Sequence, residues 1–128
     1  MGVILDTNGL SALVEGELVL RPILSKANRV AIPVVALGEY RYGISQSRDR
    51  LRYEQWLADY LPGFQILDID ERTTFSYSAV RAELKKAGKP IPSNDIWIAA
   101  LCRQHSLPLL SRDRHFDAVA GLTRVGGW

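Results

Sequence analysis

The sequence predicts an α/β fold, with a mostly parallel central sheet of four to five strands and helices on both faces. Short apolar runs alternate along the chain with longer segments of helical spacing, which is the pattern of repeated βαβ units. The apolar runs lack the polar alternation of a half-exposed strand, so both faces of the sheet should be covered. The 128 residues suit one domain, which we expect to span residues 1–128.

Four short runs are predicted as strands, and one more segment as an edge strand. They cover residues 3–5, 29–32, 64–69, 107–110 and 123–125. The first run is continuously apolar and leads directly into Asp6, where the chain leaves the core. A strand that ends in this way places its last polar residue at the carboxyl edge of the sheet, where open α/β folds have their binding sites.

Helical spacing of apolar residues fills the intervals between the strands. The predicted helices cover residues 9–20, 22–26, 34–44, 50–61, 71–87 and 94–102. Pro33 is suited to the first turn of the third helix, because its missing N–H is not needed there. Asp70 and Ser93 are predicted as N-caps of the last two helices, and Gly88 as the residue that ends the fifth.

Composition excludes several classes of protein. The formal net charge of +2, from 16 basic and 14 acidic residues, is too small to require a polyanionic partner. Cys102 is the only cysteine, so no internal disulfide can form, and we expect a reducing, cytoplasmic location. No apolar run approaches the roughly 18 residues of a membrane span. Asp6 interrupts the N-terminus before a signal peptide could develop.

Four acids occupy positions that the predicted fold would bring together. Asp6 and Asp113 follow predicted strands, and Glu39 and Asp95 interrupt apolar helices. If both helices follow parallel strands, their N-terminal halves lie near the carboxyl edge of the sheet. The four carboxylates would then converge from four distant segments of the chain.

Such convergence requires a counter-ion. Two like charges about 4 Å apart repel by roughly 4 kcal/mol at an effective dielectric near 20. Carboxylate oxygens are hard ligands that favour Mg²⁺ or Mn²⁺. A divalent ion can activate water and stabilise the leaving oxygen of a phosphodiester. The acids therefore predict a metal-dependent hydrolytic site.

Each acid also has a simpler explanation. Asp6 could be a turn former, Asp95 could favour the dipole of a helix N-terminus, and Glu39 and Asp113 could pair with neighbouring arginines. No single acid is specific, but the four together are harder to explain in this way. Their polar neighbours could orient carboxylates or serve only as caps and turns: Thr7, Asn8, Asn94 and Ser111.

The remaining candidates are expected to be structural. His105 and His115 lack the spacing of a metal-binding pair and are expected at the surface, although His115 could face substrate because it is close to Asp113. The thiol and the larger aromatic side chains are expected in the core: Tyr40, Tyr42, Trp97, Cys102 and Phe116. Several arginines near the predicted acidic site suit phosphate binding, or a solvated helix face.

Four motifs, taken in order, resemble those of PIN-domain ribonucleases, and more closely the VapC-type toxins of toxin–antitoxin pairs. They are Leu5-Asp6-Thr7-Asn8, Leu37-Gly38-Glu39-Tyr40-Arg41-Tyr42-Gly43, Ser93-Asn94-Asp95-Ile96-Trp97-Ile98-Ala99-Ala100 and Leu110-Ser111-Arg112-Asp113-Arg114-His115-Phe116. The resemblance implies an endoribonuclease that uses Mg²⁺, with Mn²⁺ able to substitute. It implies Asp6, Glu39, Asp95 and Asp113 as a catalytic, metal-binding quartet, with Asp117 as a possible peripheral member.

The resemblance also implies an RNA substrate, a homodimer and a cognate antitoxin. The predicted helices at residues 34–44 and 50–61 are candidates for the protein interfaces. Two positions depart from the family pattern: Pro33 stands where a capping serine is usual, and Gly9 where an apolar residue is usual.

Three alternatives are weighed against the nuclease. A phosphoreceiver signalling domain shares the size and the strand-end acids, but its lysine should end a strand, whereas Lys89 follows a predicted helix. A phosphatase of the Asp-x-Asp type would need an acid where Asn8 stands. A binding domain that keeps the fold without turnover is the third alternative, and the complete set of four acids argues against it.

Overall fold

Five parallel strands form one sheet in the computed structural model, which describes residues 1–126. The strands are β1 (Gly2–Leu5), β2 (Arg29–Pro33), β3 (Gln65–Leu67), β4 (Leu109–Leu110) and β5 (Arg124–Val125). Their order across the sheet is β3-β2-β1-β4-β5, and every neighbouring pair is parallel. The predicted fold class is confirmed. Gly127 and Trp128, the last residues of the predicted domain, lie outside the described residues.

Six α-helices connect the strands in the described part of the chain. They are α1 (Thr7–Val14), α2 (Arg21–Ser25), α3 (Val34–Ser45), α4 (Arg50–Tyr60), α5 (Glu71–Lys86) and α6 (Ser93–His105). Short 3₁₀ turns cover Leu18–Leu20, Leu61–Gly63 and Arg114–Ala118. Helix α5 packs on α6, and α3 packs on α1, α4 and α6. No helix within residues 1–126 has the length and apolar character needed to span a bilayer.

The centre of the sheet is buried on both faces. Every residue of β1 and of β4 is buried. Because successive side chains of a strand point to opposite faces, a strand buried at every position must be covered on both sides. This observation confirms the prediction of helices on both faces.

The direction in which successive strands are added across the sheet reverses at β1. Strands β1, β2 and β3 proceed outward to one edge, and α5 and α6 then lead back to β4 on the other side of β1. The gap at the carboxyl ends of β1 and β4 is therefore the topological switch point, where open α/β sheets bind ligands. Leu5 pairs with Leu110 in register, so Asp6 and Ser111 leave the sheet side by side.

Several predicted boundaries are wrong by a few residues. Helix α1 begins at Thr7 and ends at Val14, because Asp6 caps it and Gly16 adopts a positive φ of 72°. Pro33 is the last residue of β2 and precedes α3, instead of lying in its first turn. Ser93 is the first residue of α6 and not its N-cap; Pro92 holds the cap position without a side-chain hydrogen bond.

Two predicted helix ends are confirmed. The Asp70 side chain accepts a hydrogen bond from the Thr73 N–H, and the Thr73 hydroxyl closes a capping box at the start of α5. Gly88 follows α5 with a positive φ of 69°, a conformation that glycine adopts without steric cost.

The predicted core is confirmed except for two aromatic residues. Tyr40, Cys102 and Phe116 are buried. Trp97 is only partly buried, and its ring stacks on Tyr77 with 3.8 Å between centroids. The prediction of a buried Tyr42 is wrong, since that residue is 72% exposed. Apolar spacing on a helix marks a face that is to be covered, but it does not say whether the cover is the chain's own core or another molecule.

Candidate active site

Asp6 is buried at the switch point and held by two elements. As the N-cap of α1, it accepts a hydrogen bond from the Gly9 N–H at 2.7 Å through Oδ1. The Ser111 hydroxyl, which follows β4, donates to Oδ2. Burial raises the pKa of this carboxyl, although both hydrogen bonds favour its charged form. Asp6 thus has a structural role as the N-cap of α1, and the cap also fixes the carboxyl in the crevice.

Gly9 allows α1 to approach the end of β4. A Cβ atom at this position would lie 2.7 Å from the Leu110 carbonyl oxygen and 3.3 Å from Asp6 Oδ1. The family pattern usually has an apolar residue where Gly9 stands, and this departure thus has a local reason in this chain. The backbone of α1 packs directly against the strand end that carries Ser111.

Glu39 lies in the second turn of α3 and is held from both sides of the crevice. The Thr7 hydroxyl donates to its Oε1 at 2.8 Å, and the Asn94 amide donates to its Oε2 at 3.3 Å. These donors come from the first turns of α1 and α6. Thr7 and Asn94 therefore orient a predicted site acid, whereas Asn8 is exposed to solvent.

Asp95 lies in the first turn of α6, in a strongly negative environment. Its pKa is raised to about 6, chiefly by burial and then by the charges of Asp113 and Glu39, with a smaller contribution from Asp6. The other three predicted acids thus all act on Asp95. The structure brings the quartet into one crevice, from β1, α3, α6 and the segment after β4.

Asp113 and His115 lie beside Asp95 in this crevice. The Asp113 N–H donates to the Ser111 hydroxyl oxygen at 2.9 Å, which ties the segment to Asp6. Asp113 Oδ1 accepts from the His115 N–H at 3.0 Å and lies 3.2 Å from the imidazole Nε2. One ligand atom from each of Asp95, Asp113 and His115 lies within 4.8 Å of the other two.

Asp117 is turned toward Arg124 on β5. The Arg124 guanidinium contacts both oxygens of Asp117, at 2.8 and 3.0 Å, and holds the pKa of that carboxyl below its usual range. The same guanidinium donates to the Ser111 carbonyl at 3.1 Å. Arg124 therefore connects Asp117 to the strand end beside Asp6, a link that the sequence does not reveal because it joins an edge strand to a turn.

The donor set fits a hard divalent cation. Burial and the three neighbouring carboxylates raise the pKa of the Asp95 carboxyl, so ionising all four acids costs free energy unless a cation is bound. Oxygen donors are the preferred ligands of Mg²⁺ and suit Mn²⁺ as well. Lys89, the residue required by the signalling-domain alternative, is exposed between α5 and α6 and does not end a strand.

Comparisons with known proteins agree with this geometry. A sequence model of the PIN domain matches residues 3–122. The chain is 35% identical to Ribonuclease VapC2 of Rickettsia felis over 101 residues, which are 78% of this chain and 75% of that protein. The chain therefore belongs to the PIN-domain family and, within it, to the VapC ribonucleases.

Solved structures share the fold. VapBC2 of Rickettsia felis, in a crystal with a DNA fragment from its promoter, matches with a TM-score of 0.86 at 24% identity, over 98% of both chains. VapBC-5 of Mycobacterium tuberculosis, a member of the VapBC family of toxin–antitoxin systems, matches with a TM-score of 0.73 at 26% identity. That second match covers 98% of this chain and 96% of the other.

Proposed function

We propose that this chain is a divalent-metal-dependent endoribonuclease and the toxin of a type II toxin–antitoxin module. One observation carries the proposal: Asp6, Glu39, Asp95 and Asp113 reach a single crevice at the switch point of a parallel sheet, where burial and the neighbouring carboxylates raise the pKa of Asp95. Family membership supports an RNA phosphodiester as the bond that is hydrolysed.

The proposed metal is Mg²⁺, for which Mn²⁺ can substitute. Asp95 and Asp113 would hold it directly, because their oxygens lie in the shared cluster. Asp6 and Glu39 would complete the set, either directly or through water. When bound, the ion supplies a nucleophilic water and stabilises charge on the phosphate.

The chain's own hydrogen bonds keep the acids in place for this chemistry. Ser111 and the Gly9 N–H fix Asp6, while Thr7 and Asn94 fix Glu39. Each carboxylate oxygen can accept more than one hydrogen bond or metal contact, so these hydrogen bonds leave capacity for a cation. We assign Asn8 and Asp117 to the edge of the site, the latter acting through Arg124.

The proposed partners follow from the same family. The solved structures from Rickettsia felis and Mycobacterium tuberculosis are VapBC proteins, so we propose a cognate antitoxin that covers the active site, and a homodimer. Residues 1–128 would act as one domain. Because the proposed substrate is cellular RNA, the proposed place of action is the cytoplasm.

Cleavage of a mixed cellular RNA pool tests this function. Purified wild type, Asp95→Asn and Asp59→Asn would be incubated with Mg²⁺, with Mn²⁺ and with EDTA, and RNA ends mapped by sequencing. Asp59 is an exposed acid on α4 outside the crevice, so its variant is the matched control. We expect discrete cuts with metal from wild type and Asp59→Asn, and none from Asp95→Asn or with EDTA. Cuts that persist in folded Asp95→Asn would remove Asp95 from the mechanism.

A further inference from the structure

His115 has a place in the acidic crevice that the predicted quartet does not include. It lies in the 3₁₀ turn Arg114–Ala118, which Asp113 caps through its side chain. This turn folds the imidazole back over the carboxylate, so that Nε2 lies 3.2 Å from Asp113 Oδ1. The side chain is 48% exposed, so it can rotate without disturbing the core.

The imidazole contact is not needed to orient Asp113. The backbone N–H of His115 already donates to Oδ1 at 3.0 Å, and the Asp113 N–H is held by Ser111. What the ring adds is a nitrogen ligand close to Asp95, since one ligand atom of each of these three residues lies within 4.8 Å of the others. Two ligands on opposite sides of an ion at about 2.1 Å lie about 4.2 Å apart, so little side-chain movement is needed for all three to reach one cation.

We propose that His115 is a third protein ligand of the divalent ion, beside Asp95 and Asp113, and that its nitrogen biases the site toward Mn²⁺ over Mg²⁺. Imidazole suits transition-metal ions, whereas Mg²⁺ prefers carboxylate, carbonyl and water oxygens. This inference rests on the proposed metal-dependent function and deepens it, because it names the atom that tunes the choice of metal.

The chain is well suited to a spectroscopic test, because His105 and His115 are its two histidines. His105 ends α6, away from the crevice, and His105→Gln is therefore the matched control. Full-length metal-free protein would be loaded with Mn²⁺ and examined by electron spin-echo envelope modulation, which detects a directly bound nitrogen. Wild type would also be prepared with ¹⁵N-labelled histidine, which changes the signal only if histidine is the ligand.

We expect a nitrogen coupling in wild type and in His105→Gln that shifts with ¹⁵N-histidine and is lost in His115→Gln. By calorimetry, His115→Gln should bind Mn²⁺ about tenfold more weakly and Mg²⁺ nearly unchanged. Circular dichroism in EDTA would verify that the variant is folded.

The possible failures can be told apart. Bound Mn²⁺ without a histidine coupling would overturn the inference and leave the metal site intact, as would an unchanged ratio of the two affinities in His115→Gln. Weaker Mn²⁺ binding in that variant, with no coupling in wild type, would also overturn the inference, because His115 would then act on the site without binding the ion. Failure of wild type to bind either ion would instead contradict the metal-dependent function itself.

Discussion

The Asp95 carboxyl is harder to ionise in the folded chain than in the unfolded one. Its pKa rises to about 6 because it is partly buried among Asp113, Glu39 and Asp6. As pH falls through about 6, the folded state takes up a proton while the unfolded chain stays ionised. The metal-free fold should therefore gain stability from Asp95 as pH falls from about 6 toward the ordinary value of 3.8, and lose it as pH rises through about 6.

Replacement of Asp95 with Asn should stabilise the metal-free protein at neutral pH. After allowance for solvent screening, we expect a gain of about 1 kcal/mol, or roughly 3–5 °C in Tm. Thermal unfolding in EDTA would be measured for both proteins at about pH 7.5 and at about pH 5, where the difference should shrink. A variant that is less stable than wild type at the higher pH would contradict the electrostatic account. The same substitution should abolish RNA cleavage, so stability and activity would move in opposite directions.

Gly9 should be intolerant of any side chain. A Cβ atom would lie 2.7 Å from a backbone carbonyl oxygen, which cannot move aside without shifting β4. We expect Gly9→Ala to cost about 1–3 kcal/mol in the free energy of unfolding, measured with urea.

Gly43 provides the matched control for this prediction. It lies within α3, and a Cβ atom there would meet nothing within 4 Å. Gly43→Ala should stabilise by roughly 0.5–1 kcal/mol, because alanine is the better helix former. Equal effects of the two substitutions would show that α1 does not pack closely on β4.

The edge of the sheet beside the site depends on two very short strands. Strands β4 and β5 have two residues each, and Arg124 joins them through the Ser111 carbonyl and Asp117. The Arg124–Asp117 pair is half exposed on the acid side, so its direct contribution to stability is small. Its greater effect should be to hold the strand end from which Asp113 follows.

Asp117→Asn should therefore reduce RNA cleavage only modestly, by about two- to tenfold, because the carboxylate acts through Arg124. Asp113→Asn should reduce cleavage by more than about a hundredfold, since its oxygen lies in the metal cluster. Rates at saturating metal, together with Mn²⁺ affinity by calorimetry, would separate the two roles. A large loss of Mn²⁺ affinity in Asp117→Asn would instead make Asp117 a ligand.

At the level of elements, sequence patterns predicted the order and type well and the boundaries less well. Apolar runs into Asp6 and Asp113 predicted strands at the centre of the sheet, because a strand buried on both faces has no polar alternation. Strand β4 is shorter than its apolar run because only Leu109 and Leu110 find partners on both sides. The sequence does not predict Asp6 as the cap of α1, because that residue serves two roles. It also does not predict the proposed ligand role of His115, because the placement of the imidazole depends on a 3₁₀ turn rather than on spacing.

For the whole molecule, the exposed apolar side chains indicate where another protein is expected to bind. Four of them belong to α3 and α4: Val34, Tyr42, Leu51 and Tyr60, with exposed fractions between 38% and 73%. A small domain can leave single apolar residues exposed, but several on two neighbouring helices favour an interface. These helices are the ones that we predict to contact the second subunit or the antitoxin.

Light scattering of the purified chain should give twice its mass of 14.3 kDa if the homodimer uses this surface. Tyr42→Lys and Leu51→Lys, made separately, should shift the mass toward that of one chain, because a buried unpaired ammonium is costly. Phe75→Lys is the control: it replaces an equally exposed apolar residue, 75% accessible, on α5.

A dimer broken only by Phe75→Lys would move the interface to α5. A wild-type monomer at about 100 µM, well above the Kd of a specific complex, would contradict the homodimer itself. If the dimer survives all three substitutions, α3 and α4 do not form the dimer interface. The same variants in a pull-down with the antitoxin would then test whether that partner binds this surface.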